Sequence, residues 1–280
     1  VIAFVRMNFP VDKQAVAFQE QVGFPYLQGL PETVRALAAL TFYGARRGRQ
    51  IAPLPPPKGS GANLQGAALQ AALAGRGMTP PRSALAASPG EAARLAAGIG
   101  FPVALKIASA QISHKTEVGG VRLNLKSPQE VEQQAQALAA GLSKVAPAAR
   151  LDGFLVQEMV EGVEIIVGTH DDPLFGPMMV VGAGGVLVEL VKDVACRLLP
   201  VGPQDVRAMI GELKVAKLLA GFRGRPAADL DALVTAICGL SDFYLDHRHL
   251  LSDLEVNPLI VLEQGKGVRA VDLRAATRDH

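Results

Sequence analysis

Apolar residues recur along this chain with two different periods, and the switches between them outline a mixed architecture. Val1–Val5 is a continuous apolar run short enough for a buried strand, and Asp12–Gln21 repeats its apolar positions on one helical side. Phe24-Pro25-Tyr26 starts a second extended segment. Pro31-Glu32 then opens a second helical pattern through Tyr43, with Val34, Leu37, Ala38 and Phe42 on one side. A β-α-β-α succession of this kind is half of a parallel-sheet domain, and its other half is expected before Val1. The start at Val1 therefore reads as a break inside a larger domain.

Ile51–Ser60, IAPLPPPKGS, changes the texture. Its run of prolines favours an extended chain and removes helical hydrogen bonds, which marks a linker over residues 51–62. It separates a first region, residues 1–50, from a second, residues 63–280. In the second region Leu64–Leu73 is helical, and Ser88 with Pro89 and Glu91 signals another helix that stops near Gly98 and Gly100. Val103–Ile107 and Val121–Leu125 read as paired strands around a polar loop, followed by a helix over Pro128–Leu142. Phe154–Val160 and Glu164–Thr169 are strands, and the turn Glu161-Gly162 predicts that they pair as antiparallel neighbours. Met178–Val181 and Val186–Val191 suggest a hairpin bent at Gly182–Gly185. Helical patterns over Pro203–Leu219 and Ala227–Leu245 flank Gly221–Pro226. Asp253–Leu262 and Val268–Leu273 close the chain as a hairpin across Gln264–Gly267. The class is α/β in the first region and α+β in the second, which argues against a repeat protein or an all-helical scaffold.

Composition narrows the function. With 28 Lys+Arg against 26 Asp+Glu, a net charge of +2 and 5% aromatic residues, the chain has no broad basic surface or stacking platform, so nucleic acid is not an expected partner. No apolar stretch of about 18 residues appears, so no membrane span is expected, and no signal peptide is visible. Cys196 and Cys238 sit in apolar sequence and read as buried thiols, which suits a reducing cytoplasm.

Several positions carry chemistry. Lys106 interrupts an otherwise apolar strand, where it must reach water or pair with an anion. Phosphate is one such partner, and a strand-edge lysine whose stem covers apolar surface is the plainer alternative. The loop beginning at Ser109 adds His114, Lys115 and Thr116 before Gly119-Gly120, whose missing side chains allow backbone amides to approach phosphate oxygens. His114 is either an ordinary loop histidine or a phosphate contact and nucleophile. Glu255 and Asn257 share one face of a strand by alternation, and Asp272 is expected on the strand that follows. Their oxygens can hold magnesium with nucleotide phosphates, or Asn257-Pro258 merely starts a turn. Gly182–Gly185 with Glu189, Lys192 and Asp193 is a second candidate nucleotide-facing segment, and Arg223 and Arg225 are either anion contacts or part of a solvent turn. His247-Arg248-His249 lacks zinc-ligand spacing.

Four ordered segments carry a resemblance: PVALKIASAQISHKTEVGGVRLNL, FLVQEMVEGVEIIVGTHDDPLFGPMMVVGAGGVLVELVKDVACRLLP, LLAGFRGRPAADLDAL and LSDLEVNPLIVLEQGKGVRAVDL. They resemble the ATP-grasp portion of the ADP-forming acyl-CoA synthetases, the acetate–CoA ligase type. Residues 1–50 resemble the end of the flavodoxin-like succinyl-CoA-synthetase domain that precedes it in fused members. The resemblance implies a nucleotide cleft made by Lys106, the loop Ser109–Gly120 with His114, Lys115, Thr116, Gly119 and Gly120, the backbone of Gln157, Glu158 and Met159 against adenine, and a contact from Glu164. It implies magnesium at Asn257 and Asp272 with Glu255 beside them, phosphoryl relay by His114, and charge neutralisation by Lys106 and Lys115.

The implied substrates are ATP/ADP, a small carboxylic acid and CoA. The last would be handled by a separate CoA-binding domain or subunit that carries the main phosphohistidine, in a hetero- or homo-oligomer. Two other function classes remain open: a noncatalytic nucleotide-binding regulatory module, and an ATP-grasp ligase joining a carboxylate to an amine.

Overall fold

The N-terminal β-α-β-α pattern folds as its periodicity predicts. In a computed structural model of the chain, which describes residues 3–5, 13–23, 26–47, 53–60, 64–109, 111–112, 118–185 and 193–278, β1 (Ala3–Val5) and β2 (Tyr26–Gln28) pair in parallel with Ala3 opposite Tyr26. The helix α1 (Lys13–Val22) supplies the crossover that parallel pairing needs, and α2 (Leu30–Arg46) follows. Val1–Pro53 forms one compact unit and Leu54–His280 the other. In the first unit α1 has no buried residue. On α2, Val34, Leu37, Leu40, Phe42 and Tyr43 are exposed.

The second unit begins with α3 (Gly66–Ala74) and then builds a four-stranded antiparallel sheet. Its strands are β3 (Ser83–Ala86), β4 (Val103–Ala108), β5 (Val121–Leu125) and β6 (Gly153–Glu158), in the order β3-β6-β4-β5. Helices α4 (Pro89–Ile99) and α5 (Pro128–Val145) cover one face. Both start with Ser-Pro-x-Glu. Ser88 and Ser127 accept the amides of Glu91 and Glu130, whose carboxylates reach back to the amides of Ala87 and Lys126. The core between these layers holds Val103, Leu105, Ile107, Phe154 and Val156 against Ala92, Ala96, Val131, Ala135 and Leu138.

A six-stranded sheet follows, from β7 (Val163–Asp172), β8 (Gly176–Ala183), β9 (Val194–Leu198), β10 (Leu251–Val261), β11 (Val268–Ala270) and β12 (Leu273–Thr277). The order is β11-β10-β7-β8-β9, with β12 also on β10. Helices α6 (Pro203–Glu212), α7 (Ala216–Leu219) and α8 (Leu230–His247) belong to this layer, and α8 supplies Leu233, Ile237, Leu240 and Tyr244 to the larger core.

The structure corrects four expectations. β6 and β7 do not pair; they belong to different sheets. Neither Glu161 nor Gly162 has the positive φ that tight two-residue hairpins need. A Cβ on Gly162 would lie 2.4 Å from the carbonyl of Val261, so this short connection feeds the chain directly alongside β10. β8 runs against β7 and β9, while the expected partner segment Val186–Val191 lies outside the described residues. The helical pattern Pro203–Leu219 breaks between α6 and α7, where the buried carboxylate of Asp193 accepts the amides of Lys214 and Val215, both at 2.9 Å. Asp193 thereby holds the break between the two helices, while Glu189 and Lys192 of the expected nucleotide-facing segment lie outside the described residues. Finally, Cys196 is exposed; only Cys238 is partly buried, and burial, then Asp242 and Asp205, push its thiol pKa up.

Asp229 links the two secondary-structure types of the larger core. Its carboxylate caps α8 through Ala232 N–H (3.2 Å) and holds Gly267 N–H (2.9 Å) in the β10–β11 hairpin. Asp229→Ala leaves both amides without that partner, and we expect a stability loss of about 2 kcal/mol. Urea unfolding should show it as a lower midpoint, with Asp229→Asn recovering part of the loss.

Candidate functional site

Strand alternation decides which groups of the four-stranded sheet are available. Val103, Leu105 and Ile107 enter the helix-covered core, so Ala104 and Lys106 occupy the opposite face. Lys106 is half-buried there, in register with Val121 of β5 and Leu155 of β6. The loop it precedes is anchored at both ends. Ser109 Oγ accepts the amide of Gln111 at 3.4 Å, and the carbonyl of Gly120 accepts the amide of Ile107 at 2.9 Å. Gly119 has φ 66, and its carbonyl is held by the Arg122 guanidinium at 2.8 Å. Ser109, Gly119 and Gly120 therefore gather around the end of the Lys106 strand. His114, Lys115 and Thr116 lie outside the described residues.

Gln157 stands opposite Ala104, on the same face as Lys106, and is buried. The amides of Glu158 and Met159 are engaged by the carbonyls of Arg82 (2.9 Å) and Pro102 (3.2 Å). Glu158 also commits its side chain: one oxygen accepts Arg82 N–H (2.9 Å) and the other Arg82 Nε (2.6 Å). Burial pushes this carboxyl upward. The amide and guanidinium of Arg82, with Arg269 of β11, outweigh that and hold it below its ordinary value. Glu158 is thus a tie between β3 and β6, near the edge of the second sheet.

On β10, Leu254 and Val256 enter the larger core, which leaves Asp253, Glu255 and Asn257 on the other face. Asp272 is not on a strand as expected but in the bend between β11 and β12. Backbone hydrogen bonds still bring it to Asn257: Asn257 N–H donates to Asp272 O at 2.9 Å, and Val271 N–H to Pro258 O at 3.1 Å. The register of β10 against β7 shifts between Val256 and Leu259, and the Asn257-Pro258 peptide is cis.

A third element joins this pair. Gly185 N–H donates to Asn257 Oδ1 at 3.4 Å, and Gly184 N–H to Glu164 O at 2.9 Å. Gly185 has φ 63, and a Cβ there would lie 1.7 Å from Glu164 Oε2. Only glycine lets the Glu164 carboxylate rest over this turn. Glu164, predicted as a nucleotide contact, therefore lies on the same turn that holds Asn257. Glu255 shares the Asn257 face of β10. It opens into a cavity of about 300 Å³ with His170, Thr169, Asp253 and Arg274, which neither Asn257 nor Asp272 lines.

Among the described residues no three His, Cys, Asp or Glu side chains cluster as metal ligands. A cation at Asn257 and Asp272 would rest on an amide oxygen, a carboxylate and oxygens supplied by phosphate and water. That donor set fits magnesium and not zinc. Elsewhere, Arg223 lies over the Phe222 ring at 5.3 Å in an exposed turn, and His247 stacks on Phe243 and bonds its carbonyl, a structural role. Sequence reasoning missed the Glu158–Arg82 tie and the Gly185–Asn257 bond; for the second, the consecutive glycines were the readable signal.

The ATP-grasp domain family matches residues 58–276. The chain is 37% identical over 199 residues to the beta subunit of acetate–CoA ligase (ADP-forming) II from Pyrococcus furiosus, covering 71% of this chain and 84% of that one. It is 39% identical over 206 residues to 4-hydroxybutyrate–CoA ligase (ADP-forming) from Nitrosopumilus maritimus, covering 73% of this chain and 29% of the relative. Among solved structures, acetyl-coenzyme A synthetase 1 of Ca. Korarchaeum cryptofilum in complex with coenzyme A and Ca-AMPCP superposes with a TM-score of 0.67 at 39% identity, over 74% of this chain and 89% of that one. PH1788 from Pyrococcus horikoshii superposes with a TM-score of 0.68 at 35% identity, over 75% and 88%. The match thus spans most of a beta subunit and 29% of a longer relative.

The Glu158 pair gives a pH dependence. A carboxyl held below its ordinary 4.5 stabilises the folded state above that value and loses the contribution as pH falls through the folded-state pKa. Glu158→Gln should lower stability at neutral pH and flatten the acid limb of a stability–pH profile measured by urea unfolding. A variant profile parallel to wild type would show that Arg82 does not depress this carboxyl.

Proposed function

Since the chain belongs to the ATP-grasp family, in the branch carried by the ADP-forming acyl-CoA ligases, we propose that it is the nucleotide-handling part of such a ligase. The observation that carries this reading is Asn257, bound at once to the Asp272 backbone and to the Gly184–Gly185 turn, against which the carboxylate of Glu164 on β7 rests. That arrangement gathers oxygen groups on one side, while Lys106 and its glycine-ended loop stand on the face of the other sheet opposite its helices.

In this reading the overall reaction is acyl acid + CoA + ATP to acyl-CoA + ADP + phosphate. ATP gives its terminal phosphoryl group to an imidazole nitrogen and ADP leaves. The imidazole passes the phosphoryl group to the carboxylate, forming an acyl phosphate, and the CoA thiol displaces phosphate. His114 relays the phosphoryl group to and from a phosphohistidine on the CoA-handling part. Lys106 and Lys115 bind the phosphates and offset the charge that develops on the transferring group. Ser109, Thr116, Gly119 and Gly120 direct loop groups at the phosphates, and Gln157, Glu158 and Met159 form the adenine-side wall with Glu164 at its edge. Asn257 and Asp272 hold magnesium, which supplies electrostatic neutralisation when bound. Glu255, on the same face of β10 as Asn257, is a further candidate ligand beside them.

Unit one belongs to the end of a flavodoxin-like domain over residues 1–50, with residues 51–62 as linker and 63–280 as the ATP-grasp domain. Its parallel β1–β2 pair and its exposed helix faces support that assignment, since parallel sheets are normally covered on both faces. CoA and a small carboxylic acid are handled by a partner domain or subunit, in a hetero- or homo-oligomer. The working compartment is the cytoplasm. No described helix is long and apolar enough to cross a membrane.

Reconstitution tests the reading. Mixed with its CoA-binding counterpart, acetate, CoA and magnesium-ATP, the chain should yield acyl-CoA and ADP in equal amounts. His114→Asn should cut turnover by roughly a hundredfold or more while retaining ATP binding. AMP and pyrophosphate as products, or an amide product with an amine acceptor, would refute it.

A further inference from the structure

Large apolar side chains in the second unit's sheets mostly meet helices, but the turn between β7 and β8 does not follow that rule. Leu174 is 86% exposed and Phe175 68%. The turn is built to hold them outward: Asp172 Oδ1 accepts the amides of Leu174 (2.8 Å) and Phe175 (2.9 Å), so both donors are satisfied within the turn. At the base of the hairpin the Arg278 guanidinium binds Asp171.

Neighbouring strands stop short of this tip. β10 pairs with β7 no farther than His170, and β9 pairs with β8 no farther than Met178. Beyond these positions β7 and β8 pair with each other, Asp171 with Pro177 and Asp172 with Gly176, and only the base is held from outside, by Leu199 N–H on Pro177 O (2.9 Å) and by Arg278 on Asp171. Scattered surface leucines need no explanation. Two adjacent large apolar side chains on a locked, projecting turn are different, because little ordering entropy remains to oppose their burial in a partner. Rigid apolar anchors of this kind concentrate binding energy.

We propose that Leu174 and Phe175 are the docking anchor for the CoA-handling part of the ligase, which receives them in an apolar pocket; this rests on the functional reading above. Area selects the occupant. The two side chains offer on the order of 300 Å² of apolar surface, against about 800 Å² per partner in a free-standing interface. The tip alone is too small to hold two copies of this chain together. It suffices for a partner that is also bound elsewhere, or tethered at high effective concentration. Relatives include both a separate beta subunit and a longer ligase of which the match spans 29%. A small anchor serves either arrangement.

The test compares wild type with Leu174→Ser/Phe175→Ser, whose exposed positions leave the core and Asp172 intact. Binding of the separately produced CoA-binding counterpart should weaken about tenfold or more in the double variant, and Phe175→Leu should keep most of the affinity. Equal affinity of wild type and double variant, or no binding by wild type, overturns the proposal. Concentration-dependent self-association of wild type alone that the double variant abolishes would assign the tip to a second copy instead. Wild-type binding to phosphatidylcholine/phosphatidylserine vesicles that the variant loses would assign it to a membrane. Magnesium-ATP titration of the isolated chain keeps the two readings apart: unchanged binding in the variant confines any failure to docking, whereas no binding by wild type strikes the nucleotide reading.

Discussion

The hydrogen bond from Asn257 N–H to Asp272 O ties together what the rest of the second unit arranges. β10 must pair with β7 on one side and with β11 and then β12 on the other, while its apolar residues meet α8. A chain that satisfies all of these contacts has to change register near Asn257, and it does so between Val256 and Leu259. The backbone groups freed by that change are buried or half-buried, so they need partners. The bend at Val271–Asp272 supplies them, and in doing so brings Asp272 alongside Asn257. The proposed magnesium pair thus follows from keeping a central strand's backbone satisfied.

The other half-site follows a different physical route. β4 alternates, with Val103, Leu105 and Ile107 under α4 and α5 and Lys106 on the opposite face. The loop after it begins and ends at neighbouring points because Ile107 N–H bonds Gly120 O. Arg269 of β11 acts on the Glu158 carboxylate of β6 across the two sheets, and Arg82 fixes that carboxylate in place.

Much of this could be read before the coordinates. Strand alternation placed Lys106 away from the core and put Glu255 and Asn257 on one face, and Ser88-Pro89 with Glu91 announced the first helix of the small sheet. Three features could not be read, for separable reasons. Glu161-Gly162 looks like a hairpin turn in one dimension, but only backbone angles and the contact with Val261 show that it changes sheets. Asp272 keeps the parity of a strand residue although the strand has ended, since parity cannot register a bend. Asp193 looked like a phosphate-side acid until its two oxygens met the amides of Lys214 and Val215, a partner set about twenty residues away that no local pattern encodes. Glu255 shares its face with Asn257 as alternation required, yet its cavity is shared with Arg274, a residue of the later strand β12.

The central claim is that a magnesium-nucleotide complex is held with Asn257 and Asp272 as its oxygen ligands. Calorimetric titration of the chain with ATP, with and without magnesium, compared with folded Asn257→Ala/Asp272→Ala protein, tests it most directly. The account requires magnesium-dependent binding by wild type that weakens tenfold or more in the double variant, on the order expected when metal ligation is lost. Equal, magnesium-dependent binding by both proteins would contradict it.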